Sequence, residues 1–174
     1  MRILPTLVLP TLLAAQAAPP VVETLSYRGF VLAAPYADFL THARALAVPR
    51  PTGTAVVCNT SRRTAQLMEC GIPIRDPADG AELYLAAYVL EGTVAFLSFG
   101  DSGSTPLVTA AQRDLVAHFG QPNGSRKGMW EWRSGRQHLR LTWRGHGTIR
   151  WIYISLWDDA VMDRIAAYAR RRTP

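Results

Sequence analysis

The run Gly100-Asp101-Ser102-Gly103-Ser104 has the residue types of a catalytic loop, with Ser102 as its nucleophile. A serine attacks a carbonyl carbon when a histidine takes its proton and a carboxylate orients that histidine. The upstream candidates are His42 as the base and Asp76 or Asp79 as the orienting group. A small hydrolase that uses Ser102 is therefore one hypothesis.

The same run resembles the nucleophile loop of the trypsin-like serine proteases. The segment around His42 lacks that family's Ala-x-His-Cys context, and His42 falls on a predicted helix. Glycine, serine and aspartate are also the residues that ordinary turns use. We therefore favour the interpretation that Gly100 to Ser104 is a loop between a strand and a helix.

The remaining histidines are His118, His138 and His146, which fall at a predicted helix end, in a strand and in a turn. Such a trio lacks the i, i+4 spacing that places two zinc ligands on one helix face. We expect surface histidines, with neither a metal nor a cofactor.

Three C-terminal strands are predicted at Met129 to Arg133, Gln137 to Arg144 and Thr148 to Leu156. A two-residue turn at Ser134-Gly135 would place Trp130 opposite Leu139 and Glu131 opposite His138. A four-residue loop from Gly145 to Thr148 would place Leu141 opposite Ile152 and Thr142 opposite Trp151.

Side chains alternate between the two faces of a strand, so this register divides the three strands into two faces. The face that helices cover would hold Trp130, Trp132, Leu139, Leu141, Ile152 and Ile154. The open face would hold Glu131, His138, Arg140, Thr142, Arg144, Trp151 and Tyr153.

Aromatic and arginine side chains are enriched at binding hot spots, so the open face is typical of an interaction surface. Alternatively, Arg140 and Arg144 lie over Trp151 and Tyr153 as cation–π pairs and only keep the sheet soluble. A third interpretation makes Glu131 and His138 a catalytic pair, which requires a further group to orient His138 and a pocket beside it.

The rest of the pattern predicts an α+β fold. The predicted elements, in chain order, are a strand from Leu25 to Leu32 with a bulge or turn at Gly29, a helix opened by Pro35, a strand from Thr54 to Cys58, a segment from Ser61 to Cys70 that is helix or strand, a polar loop from Arg75 to Gly80, a hairpin turning at Glu91-Gly92, a helix with Pro106 at its first position, and a last helix capped by Asp158 or Asp159.

Two stretches, about 27–100 and 104–157, share the order helix, polar loop and antiparallel strands, which predicts two pseudo-repeats. The second helix ends in His118-Phe119-Gly120-Gln121-Pro122, close to a Leu-Gly-x-Pro ending common in small bacterial envelope modules. In this order the chain resembles the β-lactamase inhibitor protein and, per repeat, the BamE lipoproteins. The resemblance implies helices on one face of antiparallel sheets and carries over no functional residue.

Residues 1–17 have a basic start, an apolar run and the cleavage signature Ala15-Gln16-Ala17, which predict a secretory signal peptide. We expect residues 18–174 to form a single domain, with no membrane span, in the periplasm or outside the cell. In that oxidising compartment the two cysteines, Cys58 and Cys70, predict a disulfide.

A formal net charge of +6 favours anionic partners, either an acidic protein face or an anionic envelope polymer, and we expect no nucleic acid. The main functional hypothesis is a non-enzymatic binding or inhibitor module that contacts an envelope protein through its open sheet face. The alternatives are a small periplasmic hydrolase and a binder of anionic envelope polymers.

Overall fold

The computed structural model describes residues 24–50, 56–60, 66–146 and 149–170. Within these ranges the fold is α+β, with three helices, a two-stranded sheet and an eight-stranded sheet whose neighbouring strands are all antiparallel. The predicted signal peptide lies outside the described residues. No helix in these ranges is long and apolar enough to cross a membrane.

The elements follow one another along the chain with short connections. They are β1 (Ser26–Tyr27), β2 (Phe30–Val31), α1 (Tyr36–Leu46), β3 (Val57–Thr60), β4 (Leu67–Arg75), β5 (Glu82–Leu90), β6 (Thr93–Ser104), α2 (Thr105–Phe119), β7 (Gly124–Arg126), β8 (Met129–Ser134), β9 (Gln137–His146), β10 (Ile149–Asp158) and α3 (Asp159–Arg170).

The large sheet has the strand order β3-β4-β5-β6-β10-β9-β8-β7. Helix α1 is followed by β3 to β6 and helix α2 by β7 to β10, and the two sets of strands meet where β6 pairs with β10. The interpretation of these halves as pseudo-repeats stays a prediction.

Helices α1 and α2 bury the apolar core against one face of this sheet, which we call the inner face. Phe39 and Ala43 of α1 and Val108, Ala111 and Leu115 of α2 are buried, at the helical spacing expected from the sequence. The inner-face side chains of the strands include Ile72, Leu85, Leu97, Phe99, Trp132, Leu139, Leu141, Ile152 and Ile154.

Helix α3 packs elsewhere. Its Val161 and Ile165 contact a separate buried cluster of Leu67, Leu90 and Ala95. Leu67 and Leu90 are paired across β4 and β5, and by alternation both point away from the inner face. Helix α3 therefore covers one end of the opposite, outer face, and only α1 and α2 share the arrangement that the resemblance implies.

The expected loop at Gly100 to Ser104 is wrong, because β6 continues through all five residues. Its backbone pairs with β10 from Phe96 to Ser104, with Gly100 opposite Tyr153 and Ser102 opposite Trp151. A full row of backbone partners on β10 outweighs the turn preference of these residues. The expected single strand from Leu25 to Leu32 is instead the β1–β2 hairpin.

The cystine segment is an antiparallel strand pair, and the undecided segment before Cys70 is a strand from Leu67 onwards. Cys58 on β3 lies directly opposite Cys70 on β4, and the predicted disulfide joins them. The hairpin predicted at Glu91-Gly92 is confirmed, since both residues have the positive φ angles, 51° and 81°, of a two-residue turn.

The predicted register of the last three strands is wrong by two residues in each hairpin. The turn after β8 is Gly135-Arg136, so that Glu131 lies opposite Arg140. Strand β9 runs on to His146, which pairs with Ile149 and places Thr142 opposite Tyr153. Backbone pairing therefore extends further toward each turn than the turn residues suggested. A shift of two leaves every side chain on its predicted face.

Candidate binding surface

Seven side chains predicted for the open face lie on the outer face of the sheet, as the pairing of β8, β9 and β10 requires. The directly opposed pairs are Glu131 with Arg140, Thr142 with Tyr153, and Arg144 with Trp151. His138 lies opposite both Arg133 and Trp157. The structure separates these residues into two groups with different surroundings.

The first group surrounds the buried carboxylate of Glu131, which is only 2% exposed. Arg140 donates from Nε at 2.7 Å and Arg133 donates from Nε at 2.5 Å. Burial raises the pKa of Glu131, but the hydrogen bonds from Arg140, Arg133 and His138 outweigh burial and lower this pKa to about 2. Glu131 therefore stays ionised and holds both guanidinium groups.

His138 links this carboxylate to the start of α3. Its Nδ1 lies 3.3 Å from Glu131 Oε1, its Nε2 lies 2.9 Å from Asp159 Oδ2, and its ring stacks on the indole of Trp157 with centroids 4.8 Å apart. The hydrogen bond with His138 is the main cause that lowers the pKa of Asp159. We call Glu131, Arg133, His138, Arg140, Trp157 and Asp159 the Glu131 network.

The network meets one requirement of a catalytic site but fails another. Asp159 is the third group that a Glu131–His138 pair would need to orient the imidazole. However, both ring nitrogens of His138 face carboxylates, one ring face is covered by Trp157, and the residue is 7% exposed. Neither nitrogen is presented to a substrate, so the geometry favours a structural role.

The second group is an exposed cluster of aromatic rings, formed by Tyr84, Trp151 and Tyr153, which we call the aromatic platform. These three residues are 56%, 44% and 45% exposed. With Val57, also on the outer face, they are the exposed large apolar side chains among the described residues. Exposed apolar side chains gathered on one face are typical of an interaction site.

Two glycines allow the tyrosine rings to lie against the sheet. A Cβ atom at Gly100 would lie 3.1 Å from Cε1 of Tyr153, and one at Gly71 would lie 2.1 Å from the hydroxyl of Tyr84. The rings therefore cover backbone that no other side chain covers. This arrangement makes the platform flat.

A row of small side chains separates the platform from the Glu131 network. It crosses the strands through Gly71, Ala86, Ser98 and Ser155, and the hydroxyls of the two serines lie 3.3 Å apart. Beyond this row stand the rings of Tyr88, Phe96 and Trp157, at the end of the face that α3 covers.

The arginines of the outer face differ in their partners. Arg140 lies over the ring of Trp157, with 4.6 Å from its guanidinium carbon to the centroid, rather than over Trp151 or Tyr153. Arg144 and Arg126 are exposed, and neither has an ion-pair partner among the residues that the structure describes. Two unpaired positive charges therefore border the platform.

Sequence reasoning missed Tyr84, Val57, Trp157 and Asp159. The alternation of β5 contained the signal for Tyr84, because Leu83, Leu85 and Ala87 all face inward. Asp159 was identified only as a helix cap. Its position beside His138 depends on how α3 leaves β10, which no local pattern specifies.

The structure does not assemble the Ser–His–Asp set. His42 Nε2 lies 2.8 Å from the carbonyl oxygen of Arg28, and Asp76 forms a salt bridge with the Arg28 side chain at 2.7 Å. Asp79 accepts a hydrogen bond from the backbone of its own loop. Ser102 lies within β6, opposite Trp151.

The three histidines considered as a metal trio lie on different parts of the fold. His118 is in the last turn of α2, while His138 and His146 lie near opposite ends of β9. Across the described ranges, no three His, Cys, Asp or Glu side chains are grouped closely enough to hold a metal ion.

No protein-family model matches this chain, and no characterised protein or solved structure is significantly similar to it. The resemblance to the β-lactamase inhibitor protein and BamE families therefore stays a prediction. Function has to be argued from the surface itself.

Proposed function

We propose that this protein is a non-enzymatic binding or inhibitor module that contacts a partner protein of the bacterial envelope through the aromatic platform and Arg144. The observation that carries the proposal is the gathering of Tyr84, Trp151 and Tyr153, each about half exposed, on one face of the sheet. Aromatic side chains bury a large area at low entropic cost, which suits them to be interface anchors.

The division of the outer face supports this proposal. In the Glu131 network, charged groups are satisfied by one another and Glu131 is buried. On the platform, by contrast, the rings and Arg144 are exposed. A surface kept only for solubility would not need exposed tryptophan and tyrosine, whose hydration is unfavourable.

A secreted or periplasmic location is part of the proposal. The disulfide between Cys58 and Cys70 is compatible with an oxidising compartment. The sequence features of residues 1–17 point to the same compartment.

The experiment is an affinity capture from envelope extract with purified protein carrying residues 18–174. The test variant combines Trp151→Ala with Tyr153→Ala. The control combines Arg113→Ala and Gln121→Ala, at exposed positions in and just after α2. We expect a partner recovered by the wild type and the control but lost with the test variant, while all three proteins keep the same melting temperature.

Equal recovery by the test variant would contradict the proposal. Capture that depends on the platform but is abolished by polysaccharide-degrading enzymes would instead favour an anionic envelope polymer as the partner. A hydrolase finds less support, because His138 has no free ring nitrogen and Asp76 is engaged by Arg28.

A further inference from the structure

The platform belongs to a row of residues that crosses six strands of the outer face. Successive backbone pairs give this row as Tyr84, Gly100, Tyr153, Thr142, Met129 and Arg126. Trp151 and Arg144 form an opposed pair in the next row. The strip is therefore aromatic on the β5–β10 side and cationic on the β9–β7 side.

The length of this row sets the size of a matching ligand. Six strands span five spacings of about 4.8 Å each, or about 24 Å from Tyr84 to Arg126. An extended peptide advances about 3.3 Å per residue, so about seven residues would cover the row. A single sugar or a small anion would contact only a fraction of it.

The charges along the row are not balanced by the protein itself. The carboxylate of Glu131 is used by Arg133 and Arg140, and Glu82 lies 3.7 Å from Arg75 on the far side of the face. Arg126 and Arg144 have no carboxylate partner in the part of the chain that the structure describes. The charge complement to this end of the row is a carboxylate.

We infer that the occupant is an extended acidic segment of a partner protein, lying across the strands with apolar side chains on Tyr84, Trp151 and Tyr153 and carboxylates at Arg144 and Arg126. This inference rests on the proposed function and adds the chemistry of the partner. A polyanion would need cations along the whole row, whereas here they lie at one end only.

The test selects peptides from a random 12-residue displayed library on the immobilised wild-type protein. Enriched sequences should carry net negative charge beside aromatic or large aliphatic residues. One enriched peptide is then synthesised and its dissociation constant is measured for wild type, Arg144→Glu, Arg126→Glu, Trp151→Ala and the control Arg113→Glu, which makes the same charge change on α2.

We expect each of the first three variants to weaken binding on the order of tenfold or more, and Arg113→Glu to change it less than about twofold. Circular dichroism and melting temperature check that every variant is folded. A loss specific to Trp151→Ala, with both arginine reversals neutral, would overturn the acidic assignment but leave the platform as a binding site.

Other results also decide the matter. Enrichment of neutral or basic peptides, or no enrichment while envelope capture still depends on Trp151 and Tyr153, would overturn the inference and leave the proposed function standing. Displacement of the peptide by alginate, with alginate binding lost in Arg144→Glu, would overturn the choice of a protein segment. Failure of both the selection and the capture would remove the proposed function itself.

Discussion

The guanidinium carbon of Arg140 lies 4.6 Å above the ring of Trp157, while its Nε donates to Glu131 at 2.7 Å. This double attachment holds Arg140 toward the end of the face where α3 packs, and away from Trp151 and Tyr153. Arg140 is therefore committed to the protein's own structure. Arg144, four residues further along β9, is left exposed beside the platform.

Replacing Glu131 with Gln should lower the free energy of unfolding by about 2 kcal/mol. The amide keeps the shape but removes the negative charge that Arg133, Arg140 and His138 share. Urea denaturation measures the change, and Glu69→Gln, at an exposed position on the same face, is the matched control. A loss no larger than that of the control would show that the network contributes little.

Stability should fall with acid in a defined window. Because the pKa of Glu131 is lowered from 4.5 to about 2 on folding, its contribution is complete above pH 4.5 and disappears as the pH falls toward 2. The difference in unfolding free energy between wild type and Glu131→Gln, measured from pH 6 to pH 2, should therefore shrink below about pH 4.5. A difference that stayed constant across this range would assign the acid sensitivity to other groups.

Removing the disulfide with the pair Cys58→Ser and Cys70→Ser should cost about 3 kcal/mol, the chain-entropy value for a loop of this length. The bridge attaches β3 to β4 at the edge of the large sheet. For a chain of this size the expected drop in melting temperature is roughly 6–12 °C, and dithiothreitol should produce a similar drop in the wild type but none in the variant. An unchanged melting temperature in both experiments would mean that β3 is held without the bridge.

The fold was largely predictable where local signals agreed. The spacing of Phe39 and Ala43, the turn at Glu91-Gly92 and the apolar alternation around Leu139 and Leu141 each reported one element correctly. The segment Gly100 to Ser104 was not predictable, because its extended conformation depends on β10, about fifty residues later in the chain. Backbone pairing across the sheet overrides local preference there.

The composition of the open face followed from alternation alone, which a register error of two residues does not disturb. Its division into the Glu131 network and the aromatic platform did not follow, since that division depends on contacts made by Trp157 and Asp159. Tyr84 also comes to the platform from β5, which joins β10 only through β6. Such neighbours require the strand order.

The central claim is that the aromatic platform binds a partner and the Glu131 network does not. The most direct measurement is the dissociation constant of the Trp151→Ala, Tyr153→Ala protein for the partner recovered by the wild type, by isothermal titration calorimetry. We predict binding weakened by about thirtyfold or more, the loss expected for a hot spot, with an unfolding free energy within about 0.5 kcal/mol of wild type. A folded variant that binds with the wild-type constant would contradict the account.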